Sequence, residues 1–287
     1  MERNQTATAN QDAQETIWQY NVLSFPPRYF RPPPDRAGLH WEAKAASPLR
    51  FSPSLHTISI LPPQETYNAT EGLFCLLTRR DVRASERQLN TGEITMAGVS
   101  MLIEEANIQL NDVFLDAGSG VGNVLAQIAL QTQAFRVVGI EIQRDLAARG
   151  MELIASRASR FPHLLKISVV TTDIRNIAEG SDTVISADPD SKLAQPSSFI
   201  SSATLLFCHD TVFEEDVVLA MRALCMKLPH LRLVALATRV CPRHRNTCRN
   251  SFCKRWKLLK TIQVPMTYSS SLRDLHLYAA EPRWSMQ

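Results

Sequence analysis

The strongest chemical signal in this 287-residue chain is the run Asp116 to Asn123, Asp-Ala-Gly-Ser-Gly-Val-Gly-Asn. Gly118, Gly120 and Gly122, with Ser119 and Val121 between them, stand between an apolar run (VFLD) and a run with helical character (GNVLAQIALQTQ). Glycines there permit a tight turn and bring backbone N–H groups and a helix N-terminus close to a ligand that side chains would displace. Glu141 lies 23 positions beyond Gly118, at the end of the apolar run RVVGIE. A carboxylate so placed can accept hydrogen bonds from both hydroxyls of a ribose. Asp173 closes the next run, TTDI, where it could bond the exocyclic amine of an adenine.

Two classes of adenosine-containing ligand share this geometry, and the glycine spacing separates them. A pyrophosphate-binding turn reads G-x-G-x-x-G/A, with a small residue in the sixth place. Asn123 occupies that place here, and the pattern is G-x-G-x-G after an aspartate. This favours S-adenosyl-L-methionine, with Asp116 beside the cationic methionine moiety.

The flanking elements must hold these groups in one place. DVFLDAGSG, RVVGIEI, LKISVVTTDI, ATLLFCHD and LRLVALATRV read as buried strands. GNVLAQIALQTQ, DLAARGMELIASRASRF and EEDVVLAMRALCMKL read as the helices between them, and ITMAGVSMLIEEANI as a helix ending near Asn107. Alternating strands and helices imply a parallel sheet covered on both faces. KLLKTIQVPMTY and DLHLYAAEP read as two more strands that close the sheet antiparallel. The expected fold is therefore α/β, a Rossmann-like class I S-adenosylmethionine-dependent methyltransferase domain with a mostly parallel seven-stranded sheet.

Length and composition accommodate one such domain plus an appendage. Residues 1–17 are polar and aperiodic and are expected to be disordered. Residues 18–84 begin as a proline-rich arm (FPPRYFRPPPDR) followed by short helices, and the methyltransferase domain is expected over 85–283. No run is apolar for the roughly 18 residues a membrane span needs, and residues 1–15 lack the apolar centre of a signal peptide. The reading is a soluble, intracellular protein. The cysteines at 75, 208, 225, 241, 248 and 253 are few and irregular, as for reduced thiols.

Net charge is only +3, yet no acidic residue stands between Asp216 and Asp274 while twelve lysines and arginines do. That segregation favours polyanionic partners. In CPRHRNTCRNSFC the residues Cys241, His244, Cys248 and Cys253 crowd together. Weighed against the close cysteine pairs of structural zinc sites, the stretch is expected to be a basic hairpin loop and not a metal site. Arg243, Arg245, Arg249, Lys254 and Arg255 would then face phosphates or an acidic protein surface.

Taken together, DAGSGVGN, Glu141, Asp173 and the upstream TGEIT resemble the disruptor-of-telomeric-silencing (Dot1-like) family of histone lysine methyltransferases. The similarity covers roughly 85–282. The resemblance implies that Thr91, Gly92 and Glu93 form a loop covering the cofactor, and that Asp116, Gly118, Ser119, Gly120, Gly122, Asn123, Glu141 and Asp173 bind it. It further implies a nucleosome or core histone as partner and a nuclear location. Two departures stand out. Asn123 replaces the usual glutamine, and FCHDTVF carries His209 and Asp210 where the family has an Asn-Asn pair, with Phe213 kept. In that position Phe213 would wall the methyl-transfer channel, while His209 and Asp210 would orient the incoming amine or relay its proton. Methylation of another protein or a small molecule, or a silent cofactor-fold binding module, are the alternatives left by FCHDTVF.

Overall fold

The structure, a computed structural model, describes residues 59–75, 77, 94–177, 183–188, 196–245 and 248–280. Thr91, Gly92 and Glu93, residues 1–17 with their expected disorder, and most of the proline-rich arm lie outside the described residues.

Eight strands form one sheet: β1 (Val113–Ala117), β2 (Arg136–Glu141), β3 (Ile167–Thr171), β4 (Thr183–Ser186), β5 (Leu205–Cys208), β6 (Leu233–Leu236), β7 (Trp256–Met266) and β8 (Ser269–Ala280). Their order is β4-β3-β2-β1-β5-β6-β8-β7. β1, β2, β3, β5 and β6 run parallel, β4 pairs antiparallel with β3, and β8 pairs antiparallel with both β6 and β7. This is the Rossmann-like arrangement expected, with the carboxyl-terminal pair closing one edge. The extra strand is β4, a four-residue edge strand that carries too few residues to show a period in the sequence.

The parallel strands are buried along their length, save Thr171 at the end of β3, because both faces are covered. Successive side chains alternate between two cores. Phe114, Val137, Val169 and Phe207 enter one, against α1 (Pro63–Phe74), α2 (Met96–Ala106), α3 (Asn123–Gln131) and α4 (Arg144–Arg157). Leu115, Val138, Val170 and Leu206 enter the other, against α5 (Pro196–Ser201), α6 (Glu215–Lys227) and α7 (Ser251–Arg255). α1, which the sequence reading placed with the N-terminal arm, buries Leu73 in the first core, and the Leu61 N–H donates to the Leu130 carbonyl at 3.0 Å.

Buried polar groups tie these layers. Gln127, inside the otherwise apolar α3, donates to the Met96 carbonyl at 2.7 Å and to Ser100 Oγ at 3.1 Å, fixing the start of α2 against α3. At the amino-terminal end of the sheet, Asp112 accepts from Arg232 Nε (3.0 Å), Thr204 Oγ1 (2.7 Å) and the Gln109 N–H (2.7 Å). One carboxylate therefore joins the starts of β1, β5 and β6. Burial pushes its pKa up, but the Arg232 guanidinium and the other donors outweigh burial and hold it below the ordinary value.

The basic stretch after β6 is not a hairpin. β8 separates β6 from β7, so the chain between them crosses over the second core, with α7 as its only helix among the described residues. Arg255 does not face solvent partners either: its guanidinium donates to the Met226 and Leu228 carbonyls at the end of α6. Arg243, Arg245, Arg249 and Lys254 are exposed.

The Asp112 node yields a prediction. Arg232→Ala leaves a buried carboxylate without its charged partner and should cost about 1–2 kcal/mol at pH 7, the lower range because Arg232 is partly exposed. A depressed carboxylate contributes stability above its unfolded value near 3.8 and loses it as pH falls through the folded value. Urea midpoints of wild type and variant should therefore differ at pH 7 and converge below about pH 4.

A carboxylate-lined glycine loop at the carboxyl edge of the sheet

β1 ends at Ala117 and the chain turns through Gly118, Gly120 and Gly122 at φ values of 91°, 55° and 88°. These lie in the left-handed region that side chains with a Cβ avoid. The Gly118 and Ser119 N–H groups both donate to the Ile140 carbonyl, at 2.8 and 3.0 Å. Glu141, buried at the end of β2, accepts from the Gly120 N–H at 2.8 Å through one oxygen and from the Gln143 N–H at 2.8 Å through the other. Glu141 thus secures the loop to the neighbouring strand while keeping further lone pairs on each oxygen.

Two glycines that the sequence reading passed over make room for this loop. A Cβ on Gly139 would stand 2.4 Å from Ser119 Oγ, and one on Gly150 of α4 would stand 2.0 Å from the Val121 carbonyl oxygen. Gly139 lies inside an apolar strand and Gly150 inside a helical run, so neither carries a turn signal. Their need for a missing side chain exists only across the fold.

Asp116 pairs in register with Gly139 and Gly139 with Val169, while Glu141 pairs with Thr171. The carboxylate positions therefore step outward by two residues per strand, which keeps Asp116 and Glu141 on the same side of the pleat. Burial pushes Asp116 up to about 8, with a further push from the Glu141 charge. Burial also raises Glu141, against the three backbone N–H groups that favour its ionised form. Ser119 Oγ is buried close by and has no hydrogen-bond partner among the described residues. A Cβ added at Gly120 would meet open space. Asn123 opens α3, whose N-terminus has no side-chain cap.

Asp173 is at the expected strand end but is not free. It caps the 3-10 turn Ile174–Asn176 and pairs bidentately with Arg175, which also reaches Asp216 at 2.5 Å in the first turn of α6. The Arg175 hydrogen bonds hold Asp173 below the usual carboxylate range.

β5 delivers FCHDTVF to the same edge. A Cβ on Gly118 would lie 2.8 Å from Phe213 Cζ, so the Phe213 ring rests on the glycine loop. Asp210 is buried and gives one oxygen to the Thr238 N–H at 2.8 Å and the other to the Thr238 hydroxyl. It locks the ends of β5 and β6 together, as Asp112 locks their starts. His209 Nε2 lies 3.3 Å from the hydroxyl of Tyr268, and the two rings meet edge-on. Burial pushes His209 down to about 4. That keeps the imidazole neutral at neutral pH, and both oxygens of Asp210 accept from Thr238.

Tyr268 was not legible as a site residue, because it reaches this edge only through topology. β7 runs parallel to β6, each being antiparallel to β8, so β7 ends on the carboxyl edge. The same geometry carries Ile94, which bridges to Met266, and Thr95, whose N–H donates to the Pro265 carbonyl at 3.1 Å. The chain that follows Thr91, Gly92 and Glu93 is thus anchored at the edge that holds the glycine loop.

Residues 85–267 match the family model of histone methylation protein DOT1. A histone-lysine N-methyltransferase specific for lysine 79 of histone H3, from Dictyostelium discoideum, is 27% identical over 161 residues, which is 53% of this chain and 8% of that protein. The chain thus spans a small fraction of that relative's length. Among solved structures, a putative RNA methyltransferase from Pyrococcus horikoshii aligns over 79% of this chain and 100% of its own at 12% identity and a TM-score of 0.45. The 23S rRNA methyltransferase ErmE aligns over 67% of this chain and 70% of its own at 16% identity and a TM-score of 0.42. The sheet order, the carboxylate-lined glycine loop and the match over nearly two thirds of the sequence converge: this chain belongs to the DOT1 histone methylation family.

Proposed function

We propose that this domain is an S-adenosyl-L-methionine-dependent N-methyltransferase acting on a lysine side chain of a core histone in the nucleosome. The observation that carries the reading is the pair of buried carboxylates, Asp116 and Glu141, flanking a glycine loop open at Gly120 and held by Glu141 itself. Family membership supports the histone acceptor and a nuclear site of action.

The residues present fit the cofactor. Its ammonium group complements Asp116, and a cation there would offset the burial, and the lesser push from Glu141, that raise Asp116. Ribose hydroxyls would donate to the lone pairs left on Glu141. The partnerless hydroxyl of Ser119, the uncapped start of α3 at Asn123, and Gly118 to Gly122 supply the remaining polar contacts. Asp173 would receive the adenine amine only by sharing an oxygen with Arg175. Thr91, Gly92 and Glu93 would cover the ligand from the anchor at Ile94.

When bound, the cofactor supplies an activated methyl group on a sulfonium. The protein's part is to deliver a neutral amine in line with it and to exclude water. Phe213, seated on Gly118, provides the apolar wall that disfavours the charged form of an incoming lysine. With its pKa near 4, His209 is neutral at working pH and cannot compete for a proton held by an amine of pKa about 10. Its role is therefore to orient, through the Tyr268 pair, and the proton leaves to solvent before transfer. Asp210 acts as a positioning residue by fixing the His209 backbone against β6. The exposed Arg243, Arg245, Arg249 and Lys254 would meet nucleosomal phosphates or the acidic histone surface.

The deciding experiment compares radiolabelled methyl transfer to nucleosomes, free histones and a cell extract freed of histones. Label on a histone lysine is the expected outcome; label confined to the histone-free extract would refute the acceptor, and the changed His209-Asp210 pair makes that the second reading. In calorimetric titration, Glu141→Ala should weaken cofactor binding by about 1–3 kcal/mol, with Glu141→Gln losing less because one oxygen remains to accept. Unchanged affinity in both would remove Glu141 from the site. Asp116→Asn should abolish cofactor binding yet stabilise the fold. A carboxyl raised to about 8 keeps its proton in the folded state while the unfolded chain loses it above about 4, so wild-type stability falls as pH rises through that window. Thermal melts at pH 5 and pH 8 should therefore separate for wild type and draw together for Asp116→Asn.

A further inference from the structure

We infer that the crossover between β6 and β7 holds a structural zinc ion on Cys241, His244, Cys248 and Cys253. One ligand atom from each of these four residues lies within 4.8 Å of all the others. Tetrahedral zinc with bonds of about 2.3 Å to sulfur sets neighbouring sulfurs about 3.8 Å apart. Cys241 Sγ and Cys248 Sγ are separated by 3.8 Å, the spacing of two thiolates on one metal and nearly twice the roughly 2.05 Å of a disulfide. All the cysteines described are free thiols.

The backbone is arranged for the same purpose. The His244 N–H donates to the Cys241 carbonyl at 3.2 Å and the Cys248 N–H to the Arg245 carbonyl at 2.9 Å, so three of the four ligands lead or follow a tight turn. The Asn250 N–H donates to the sulfur of Cys248, a contact that stabilises a metal-bound thiolate. The Asn250 side chain then accepts from the Phe252 N–H at 2.9 Å and starts α7, which carries Cys253. Phe252 and Cys253 are buried in the second core against Trp256 and Tyr278, so one ligand is fixed to the fold while His244 closes the site from the exposed side.

The spacing is Cys-x2-His-x3-Cys-x4-Cys. The sequence reading looked for close cysteine pairs and discounted the stretch; Cys248 and Cys253 are such a pair at the wide end of the usual range, and Cys241 and His244 are the second pair. Three thiolates and an imidazole in a closed set of four select zinc and leave no open position, which makes the site structural and not catalytic. The need for it is visible in the crossover. Among its described residues the crossover has a single helix, of five residues, far below the length that is stable without tertiary support. A metal that draws both ends of the crossover together supplies that support and rigidifies the exposed Arg243, Arg245 and Arg249.

The test uses the full chain, prepared under reducing conditions with zinc supplied and then dialysed free of loose metal. Atomic emission should find one zinc per chain, and cobalt exchanged into the site should give the intense visible absorption of a thiolate-rich tetrahedral centre. Cys248→Ser should lose the metal. His244→Ala, on an exposed position that the fold does not depend on, should weaken zinc at least about tenfold in chelator competition while leaving the circular dichroism of the zinc-loaded protein intact. Cys75→Ser, outside the cluster, should bind as wild type does. Absence of zinc from the loaded wild-type chain, or undiminished zinc in both Cys248→Ser and His244→Ala, overturns the inference whatever the methyl-transfer assays return.

Discussion

The Glu141 carboxylate is the constraint around which the site is built. It is buried at the end of a central strand and accepts one N–H from the glycine loop and one from the turn into α4. Without it the loop would have only the Ile140 carbonyl to hold it against β2. With it, a loop of three left-handed glycines becomes a fixed feature, and everything that touches the loop inherits its position. Phe213 rests on Gly118, Val121 presses on α4 at Gly150, and Ser119 fills the space above Gly139. The arrangement is costly, since Asp116 and Glu141 are both buried and burial raises both carboxyls. A buried carboxyl pair of this kind illustrates how a site made ready for charge is less stable before the charge arrives.

Two further carboxylates hold the sheet so that this tension is tolerated. Asp112 gathers the amino-terminal ends of β1, β5 and β6 through Arg232 and Thr204, and Asp210 binds the carboxyl-terminal ends of β5 and β6 through Thr238. Central strands pinned at both ends cannot slide, and a one-residue slip would turn Asp116 or the FCHDTVF segment to the opposite core. In this fold His209 and Asp210 brace the carboxyl edge of the sheet. Asp210 ties the end of β5 to Thr238, and His209 turns to Tyr268 across the end of β7.

The fold class, the glycine loop and the strand-end carboxylates were legible in the sequence because each depends on local pattern. Continuous apolar runs mark strands buried on both faces, glycine triplets mark a left-handed turn, and a strand's last residue needs no long-range information to be named. Asn123 in the sixth place was enough to prefer one ligand class over another. What was not legible followed from contacts between distant segments. Gly139 and Gly150 looked like ordinary strand and helix residues, β4 was too short to show a period, and Tyr268 sat in a polar turn whose destination depends on the order of three strands.

By itself, then, the sequence determined which residues carry charge, hydroxyls, thiols and flexible backbone, and the family to which their spacing belongs. The tertiary structure decided which of them meet. It turned Arg255 from a surface cation into a clasp on the end of α6, engaged Asp173 with Arg175, tied Asp210 to Thr238, and drew Cys241, His244, Cys248 and Cys253 to within 4.8 Å. The physical reason is common to all four. Charge and hydrogen-bonding capacity are properties of a residue, but partnership, burial and the pKa that follows from them are properties of neighbours that only the folded chain supplies.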